Sequence, residues 1–144
     1  MRIEQSSWSV DSGWSRPIGA LRDAGLVLAF ADRASIQDAG LLQQLRCAYP
    51  EAIFFGCSTA GEIYDTTVQD GSFVSTAISF DSTQVRHAAL DMLEAEDSFD
   101  AGVTLGMAIP HEQLTHVLCS RTASRSTARS SCAAWLRSCP PTSA

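Results

Sequence analysis

The densest group of small and polar side chains in this sequence lies between Gly56 and Glu62, directly after the short apolar run 52–55. Such a run is typical of a buried strand. Ligands of open α/β sheets favour the crevice at the carboxyl ends of the strands, where small residues let a ligand approach the backbone. The segment therefore predicts a ligand-binding site, although a tight connection in which the glycines only relieve crowding is an alternative interpretation. The predicted site residues are Gly56, Cys57, Ser58, Thr59, Ala60, Gly61 and Glu62.

Thr59 and Glu62 also have the T-x-x-E spacing of a capping box, which predicts that a helical turn starts after the strand. The first N–H groups of a helix have no partner within the helix, and they bind carboxylates and other anions. Such a turn can therefore hold a carboxylate or another anionic group of a ligand.

Two catalytic interpretations of the same segment are open. The run 56–60 comes close to the G-x-S-x-G nucleophile elbow around Ser58, with alanine in the last position. Asp91, Asp97 or Asp100 and then His111 or His116 follow in the order found in hydrolases. Cys57 is an alternative nucleophile, although a cysteine that closes a buried strand is more often a packing residue. We expect neither reaction and predict a chain that is not an enzyme.

The cofactor is unknown from these residues. Each of His87, His111 and His116 is a conceivable axial ligand of haem, but no spacing selects one of them. The five cysteines include no C-x-x-C pair, and no histidine stands at zinc-finger spacing from them. The sequence therefore predicts neither a metal site nor a disulfide framework, and haem stays an alternative.

Apolar periodicity indicates the elements that position the segment. The run 25–31 predicts a central strand, and residues 35–49 have the spacing of an amphipathic helix that Pro50 ends. A second strand at 52–57 completes a βαβ unit with a parallel pair. Alternation over residues 72–91 predicts an antiparallel hairpin. The fold class is therefore α/β, with a mixed sheet that is incomplete on its carboxyl-terminal side.

Later residues add a helix over 98–109, ended by Pro110, and a strand over 114–118. Two internal glycines weaken the pattern of this helix. Trp8 and Trp14 stand in no periodic pattern, and we predict that they pack in the core or at an edge.

Composition limits the partners. The chain has 144 residues, 45% hydrophobic, and its 10 basic residues stand against 16 acidic ones for a net charge of −6. A surface of this sign disfavours nucleic acid. No apolar run is long enough to cross a bilayer, and the first residues lack the apolar core of a signal peptide. We predict a cytoplasmic protein that contacts neither nucleic acid nor membrane.

Composition changes abruptly near Leu118. Residues 119–144 hold four of the ten arginines, seven serines and no acidic residue. A disordered basic arm is one interpretation. A shift of reading frame near Leu118 is another, because codons that straddle those of the printed residues permit the stretch S-D-G-L-x-V-N-G.

The run Gly56 to Ile63, preceded by residues 49–52 and the strand at 26–30, resembles the FIST amino-terminal sensory domain over most of residues 1–118. The resemblance implies an intracellular signal-input domain that binds a small ligand such as an amino acid. Similar proteins include haem proteins that sense nitric oxide and act on histidine kinases or cyclic-di-GMP enzymes. Members also continue with an S-D-G-L-x-V-N-G stretch, which favours the frameshift. We therefore expect a partial FIST amino-terminal domain at 1–118 and an aberrant or disordered Arg/Ser-rich tail at 119–144.

Overall fold

A computed structural model describes residues 1–91 and 97–120 of the chain. The described residues fall into two compact units, one comprising Met1–Val85 and the other beginning at Arg86. The first unit contains every strand of the described ranges and two helices, whereas the second contains one helix.

Five strands of the first unit form a mixed sheet in the order β2-β1-β7-β3-β4, and two form a small antiparallel sheet. The strands are β1 (Arg2–Ser9), β2 (Gly13–Trp14), β3 (Leu26–Ala31), β4 (Ile53–Ser58), β5 (Glu62–Tyr64), β6 (Thr67–Gln69) and β7 (Phe73–Ser79). The helices are α1 (Arg33–Ile36), α2 (Ala39–Ala48) and, in the second unit, α3 (Ser98–Ala108). The predicted α/β class with a mixed sheet is confirmed.

The predicted βαβ unit is confirmed as well. Strands β3 and β4 are parallel, with Leu26 opposite Ile53 and Ala31 opposite Ser58. The crossover contains two helices where one was predicted. The cause is Asp38, whose carboxylate accepts hydrogen bonds from the backbone N–H groups of Gly40 and Leu41 and so caps a new helix.

The core of the first unit lies on one face of β3 and under the crossover. Val27, Ala29 and Ala31 alternate along β3 and are fully buried. Tyr49, at the end of α2, is also buried, and its hydroxyl accepts a hydrogen bond from the backbone N–H of Gly19 at 3.0 Å. Burial raises the pKa of Tyr49 to about 12.

The hairpin predicted over 72–91 is misplaced. Its first strand exists as β7, but residues 82–91 form no strand. Strand β7 pairs antiparallel with β1 on one side and with β3 on the other, so neither of its edges is open to a hairpin partner. The antiparallel hairpin of this fold is β5–β6, in which Ile63 stands opposite Val68.

Strands β1 and β2 were not predicted. They place Trp8 opposite Trp14 at the edge of the sheet. The Trp14 ring meets that of Phe73 edge-on, with centroids 6.0 Å apart, and its indole N–H donates to Gln44 at 2.9 Å. The predicted packing role of the two tryptophans at an edge is therefore confirmed.

In the second unit, helix α3 confirms the helix predicted over 98–109. Asp97 caps it by accepting hydrogen bonds from the backbone N–H groups of Phe99 and Asp100. The strand predicted over 114–118 is wrong, since residues 114–120 have no regular structure. Residues 121–144, most of the predicted tail, lie outside the described residues, and their origin stays a prediction.

Within residues 1–91 and 97–120, every helix is too short or too polar to cross a membrane.

Candidate functional site

Segment 56–62 begins inside strand β4, where Gly56 stands opposite Ala29 of β3. A Cβ atom at Gly56 would overlap the carbonyl oxygen of Ala29 and lie 2.8 Å from its carbonyl carbon. The two backbones approach so closely that only glycine fits at this position. Gly56 therefore serves the packing of the parallel pair.

Cys57 and Ser58 complete β4. Cys57 is half-buried opposite Phe30, and Ser58 is exposed at the end of the strand. A nucleophile elbow needs a helix directly after its serine. Ser58 is followed instead by two bends and then by β5, so the backbone does not form such an elbow.

The helical turn predicted from Thr59 and Glu62 is wrong. Glu62 is the first residue of β5, which turns at Asp65 and pairs back with β6. The hydroxyl of Thr59 donates to the Glu62 carboxylate at 2.8 Å, but no backbone N–H of the segment is aimed outward by a helix. The reason is tertiary, because the other carboxylate oxygen bonds to Ser72 rather than to the chain preceding Glu62. The expected anion site at this turn has no structural basis.

Glu62 forms a buried hydrogen-bond network, and its side chain is 1% exposed. Its Oε1 accepts from the Thr59 hydroxyl, and its Oε2 accepts from both the backbone N–H of Ser72 at 3.2 Å and the Ser72 hydroxyl at 2.9 Å. A buried carboxylate is tolerated only when such donors replace water. Glu62 thus joins the carboxyl end of β4 to the start of β7.

The backbone around this network closes the same edge of the sheet. The N–H of Thr59 donates to the carbonyl of Ala31 at 2.9 Å, and the N–H of Asp32 donates to the carbonyl of Ser72 at 3.1 Å. Asp32 also caps α1, and hydrogen bonds from Ser35 and from the backbone hold its pKa below the usual value. Strands β1, β3 and β4 all end at this edge, because β7 is antiparallel to both β1 and β3.

A cleft of about 430 Å³ opens beside this edge, between the β1–β2 turn and the β5–β6 hairpin. We call it the serine cleft. Its lining residues are Ser7, Ser9, Ser12, Ser15, Tyr64, Gln69, Asp70 and Ser72. A volume of this size suits a small molecule.

Hydrogen bonds within the chain fix two walls of the serine cleft. The Ser15 hydroxyl donates to the Tyr64 hydroxyl at 3.1 Å and accepts from the backbone N–H of Ser7 at 3.0 Å. The hydroxyls of Ser9 and Ser12 lie 2.6 Å apart and share a hydrogen bond. The β1–β2 turn is thereby held to the end of β1, and Ser15, which follows β2, is held to both β1 and β5.

Segment 56–62 supports the serine cleft from behind. Ser72 lines the cleft and also donates to Glu62. A Cβ at Gly61 would lie 3.4 Å from a carboxylate oxygen of Asp70, which lines the cleft too, and 3.2 Å from Val68. None of the residues from 56 to 62 is itself among the lining residues, so their direct contact with a ligand stays a prediction.

The lining residues are those that sequence reasoning missed. They come from β1, the turn after it, the residue after β2, the β5–β6 hairpin with the residue after it, and the residue before β7, and only the fold brings them together. The available signal was local: serines alternate at 7 and 9 and recur at 12 and 15, between and around the two tryptophans.

The histidines considered for haem belong to the second unit. His87, His111 and His116 are all exposed. Over residues 1–91 and 97–120, histidine, cysteine and acidic side chains form no group of three or more that would hold a metal ion. The described geometry gives haem no support.

Comparison with known proteins yields one match. A family model described as FIST N domain matches residues 25–138. No curated protein and no solved structure matches the chain. The matched range covers most of the chain, including the βαβ unit, segment 56–62 and the β5–β6 hairpin. The chain therefore belongs to the FIST N domain family, a family of sensory domains in signal transduction.

Proposed function

We propose that the first unit is a signal-input domain that binds a small polar molecule in the serine cleft. The observation that carries this proposal is the lining itself, in which five serines, a tyrosine, a glutamine and an aspartate border about 430 Å³. Convergent polar groups in a concave site fix the orientation of a ligand. The cleft also lies at the carboxyl edge of the sheet, where ligands of α/β proteins bind.

The lining favours binding over catalysis. Its described residues include no histidine, lysine or cysteine, and the Asp70 carboxylate stands there without a histidine to pair with it and a serine. Four of its serine hydroxyls are engaged within the chain: Ser9 and Ser12 bond to each other, Ser15 donates to Tyr64, and Ser72 donates to Glu62. In this proposal the protein works in the cytoplasm and passes its signal to a kinase or cyclase partner.

The buried network supplies a route from the cleft to the sheet. Ser72 faces the cleft and donates to Glu62, which in turn accepts from Thr59 at the end of β4. A ligand that takes the Ser72 hydroxyl as a partner would remove one of the three donors of a buried carboxylate. The carboxyl ends of β3 and β4 would then respond to occupancy of the cleft.

Thermal melting of the purified chain tests the proposal. The chain is heated with a panel of amino acids, amines, sugars, nucleosides and organic acids, since a ligand at about 100 times its Kd stabilises a protein by about 2.7 kcal/mol. We expect one class to raise the Tm of the wild type. Ser12→Phe, which fills the cleft from an exposed turn, should remove that rise.

Ser82→Phe is the matched control, because Ser82 is an exposed serine of the same unit that does not line the cleft. It should keep the rise in Tm. A panel without any stabilising compound, or a stabilising compound whose effect survives Ser12→Phe, would overturn the proposal.

A further inference from the structure

The serine cleft is richer in hydrogen-bond acceptors than in donors. The Ser15 hydroxyl gives its proton to Tyr64, the Ser72 hydroxyl gives its proton to Glu62, and Ser9 and Ser12 use one proton between them. Each hydroxyl has one donor but two acceptor sites, so more acceptor sites than donors stay unused. Donors remain on Ser7, Tyr64 and Gln69, but together with the Asp70 carboxylate the lining offers a ligand more oxygen lone pairs than donors.

The single charged side chain of the described lining is Asp70. It follows β6, it is exposed, and its carboxylate receives no hydrogen bond and no ion pair from the residues that the structure describes. Gly61 leaves room beside it, because any side chain there would press on the Asp70 carboxylate or on Val68. The carboxylate is therefore available to a ligand.

The wider field has the same sign. Residues 1–85 contain five arginines and ten acidic residues, and the whole chain has a net charge of −6. A concave surface of one sign concentrates ions of the opposite sign and repels those of its own.

On the basis of the proposed function, we infer that the ligand of the serine cleft carries a primary ammonium group and no anionic group. An ammonium offers three donors and a positive charge, which match the free lone pairs and the Asp70 carboxylate. A ligand carboxylate or phosphate would find no cationic partner among the described lining residues and would face Asp70. The lining thus selects by charge as well as by size.

A matched trio of probes tests this inference. Ethanolamine, ethylene glycol and glycolate share a two-carbon frame with a hydroxyl at one end, and at the other end they carry an ammonium, a second hydroxyl and a carboxylate, respectively. Binding is followed through the amide NMR signals of Ser12, Gln69 and Asp70 in the full chain. We expect ethanolamine to bind at least about tenfold more tightly than the other two, as one close charge pair near a surface allows.

Two substitutions of equal charge change locate the effect. Asp70→Asn should weaken ethanolamine binding by about tenfold or more, whereas Glu51→Gln, at an exposed position outside the cleft, should leave it nearly unchanged. The melting curve of each variant shows that it folds. Asp70→Ser serves as a second variant at the same position.

The outcomes separate the inference from the proposed function. Equal or tighter binding of ethylene glycol or glycolate, lost in Ser12→Phe, overturns the ammonium preference and leaves the cleft as a ligand site. Ethanolamine binding that Asp70→Asn does not weaken also overturns it. So does the absence of binding by all three probes, in which case the broader melting panel decides the proposed function by itself.

Discussion

Segment 56–62 and the serine cleft are both built from small polar residues, yet they use their polar groups in opposite ways. The carboxylate of Glu62 is buried and accepts three hydrogen bonds from the chain. The carboxylate of Asp70 lies in the cleft wall and accepts none from the described residues. A polar group that the chain has already satisfied stabilises the fold, whereas one left open is available to a ligand.

The two glycines of the segment make the same distinction. At Gly56 a side chain would collide with the backbone of Ala29, so this glycine permits two strands to pair. At Gly61 the nearest atoms belong to the side chains of Val68 and Asp70, so this glycine shapes the wall of the cleft. Residue type alone does not separate a packing glycine from one that serves a site.

Substitution at Gly56 should have the largest effect on the free energy of unfolding. Gly56→Ala forces a Cβ into the Ala29 carbonyl, and overpacking of this kind costs about 3 kcal/mol of the free energy of unfolding. Urea denaturation followed by circular dichroism measures it. Gly102→Ala is the control, because Gly102 has open space around it in helix α3 and alanine there should stabilise the helix by about 0.5–1 kcal/mol. A Gly56→Ala protein as stable as the wild type would contradict the close approach of β3 and β4.

Substitution of Glu62 should cause the second largest loss of unfolding free energy. Glu62→Ala leaves two donors of Ser72 without their acceptor in a buried place and leaves the Thr59 hydroxyl only the Ala31 carbonyl at 3.5 Å, which costs about 2–3 kcal/mol. Glu62→Gln keeps one acceptor oxygen for Ser72 and should lose only about 1 kcal/mol. The exposed Glu51 supplies the control, since Glu51→Ala should stay within about 0.5 kcal/mol. Equal losses in the alanine and glutamine variants would show that volume, not hydrogen bonding, matters at position 62.

The sequence predicted those elements whose apolar pattern is local and continuous. Strands β3 and β4 and helix α3 are such elements, and the parallel pairing follows from the helical crossover. Strand β1 was not predicted, because it lacks such a pattern. Its buried residues are Ser6 and Ser7, whose polar groups find partners that are distant in sequence, in residues 15 and 16 and in strand β7. No hydrophobic alternation marks such a strand.

The candidate site shows the same limit. The T-x-x-E pattern of Thr59 and Glu62 predicts a local helix start, but Ser72 competes for the carboxylate and the chain enters a strand. The hydrogen bond between the two side chains survives in a different backbone. A capping pattern predicts a helix only where the following residues also favour one, and Ile63, Tyr64 and Val68 favour a hairpin instead.

Asp32 is intermediate between the buried carboxylate of Glu62 and the exposed one of Asp70, and it lies half-buried at the same edge of the sheet as Glu62. Asp32→Ala removes the cap of α1 and should cost about 1 kcal/mol, whereas Asp32→Asn should keep most of the cap. Because the folded-state pKa of Asp32 lies below its unfolded value, its contribution is present above the unfolded value and is lost as the pH falls through the lowered one. Denaturation at pH 7 and below pH 3, roughly a unit under the ordinary aspartate pKa, measures this. We expect the difference in unfolding free energy between the wild type and Asp32→Ala to be smaller at the lower pH.

The smallest effect on stability should come from the serine cleft itself. The Ser9–Ser12 hydrogen bond is exposed, and water replaces it readily, so Ser12→Ala should change the free energy of unfolding by no more than about 0.5 kcal/mol. Ser6→Ala is the contrast, because the buried Ser6 hydroxyl donates to the carbonyl of Arg16 at 2.8 Å and accepts from its N–H at 3.3 Å. That variant should lose about 1 kcal/mol or more. A large loss of unfolding free energy in Ser12→Ala would show that the cleft serines stabilise the fold, as Glu62 does. It would contradict the view that their hydroxyls are open to a ligand.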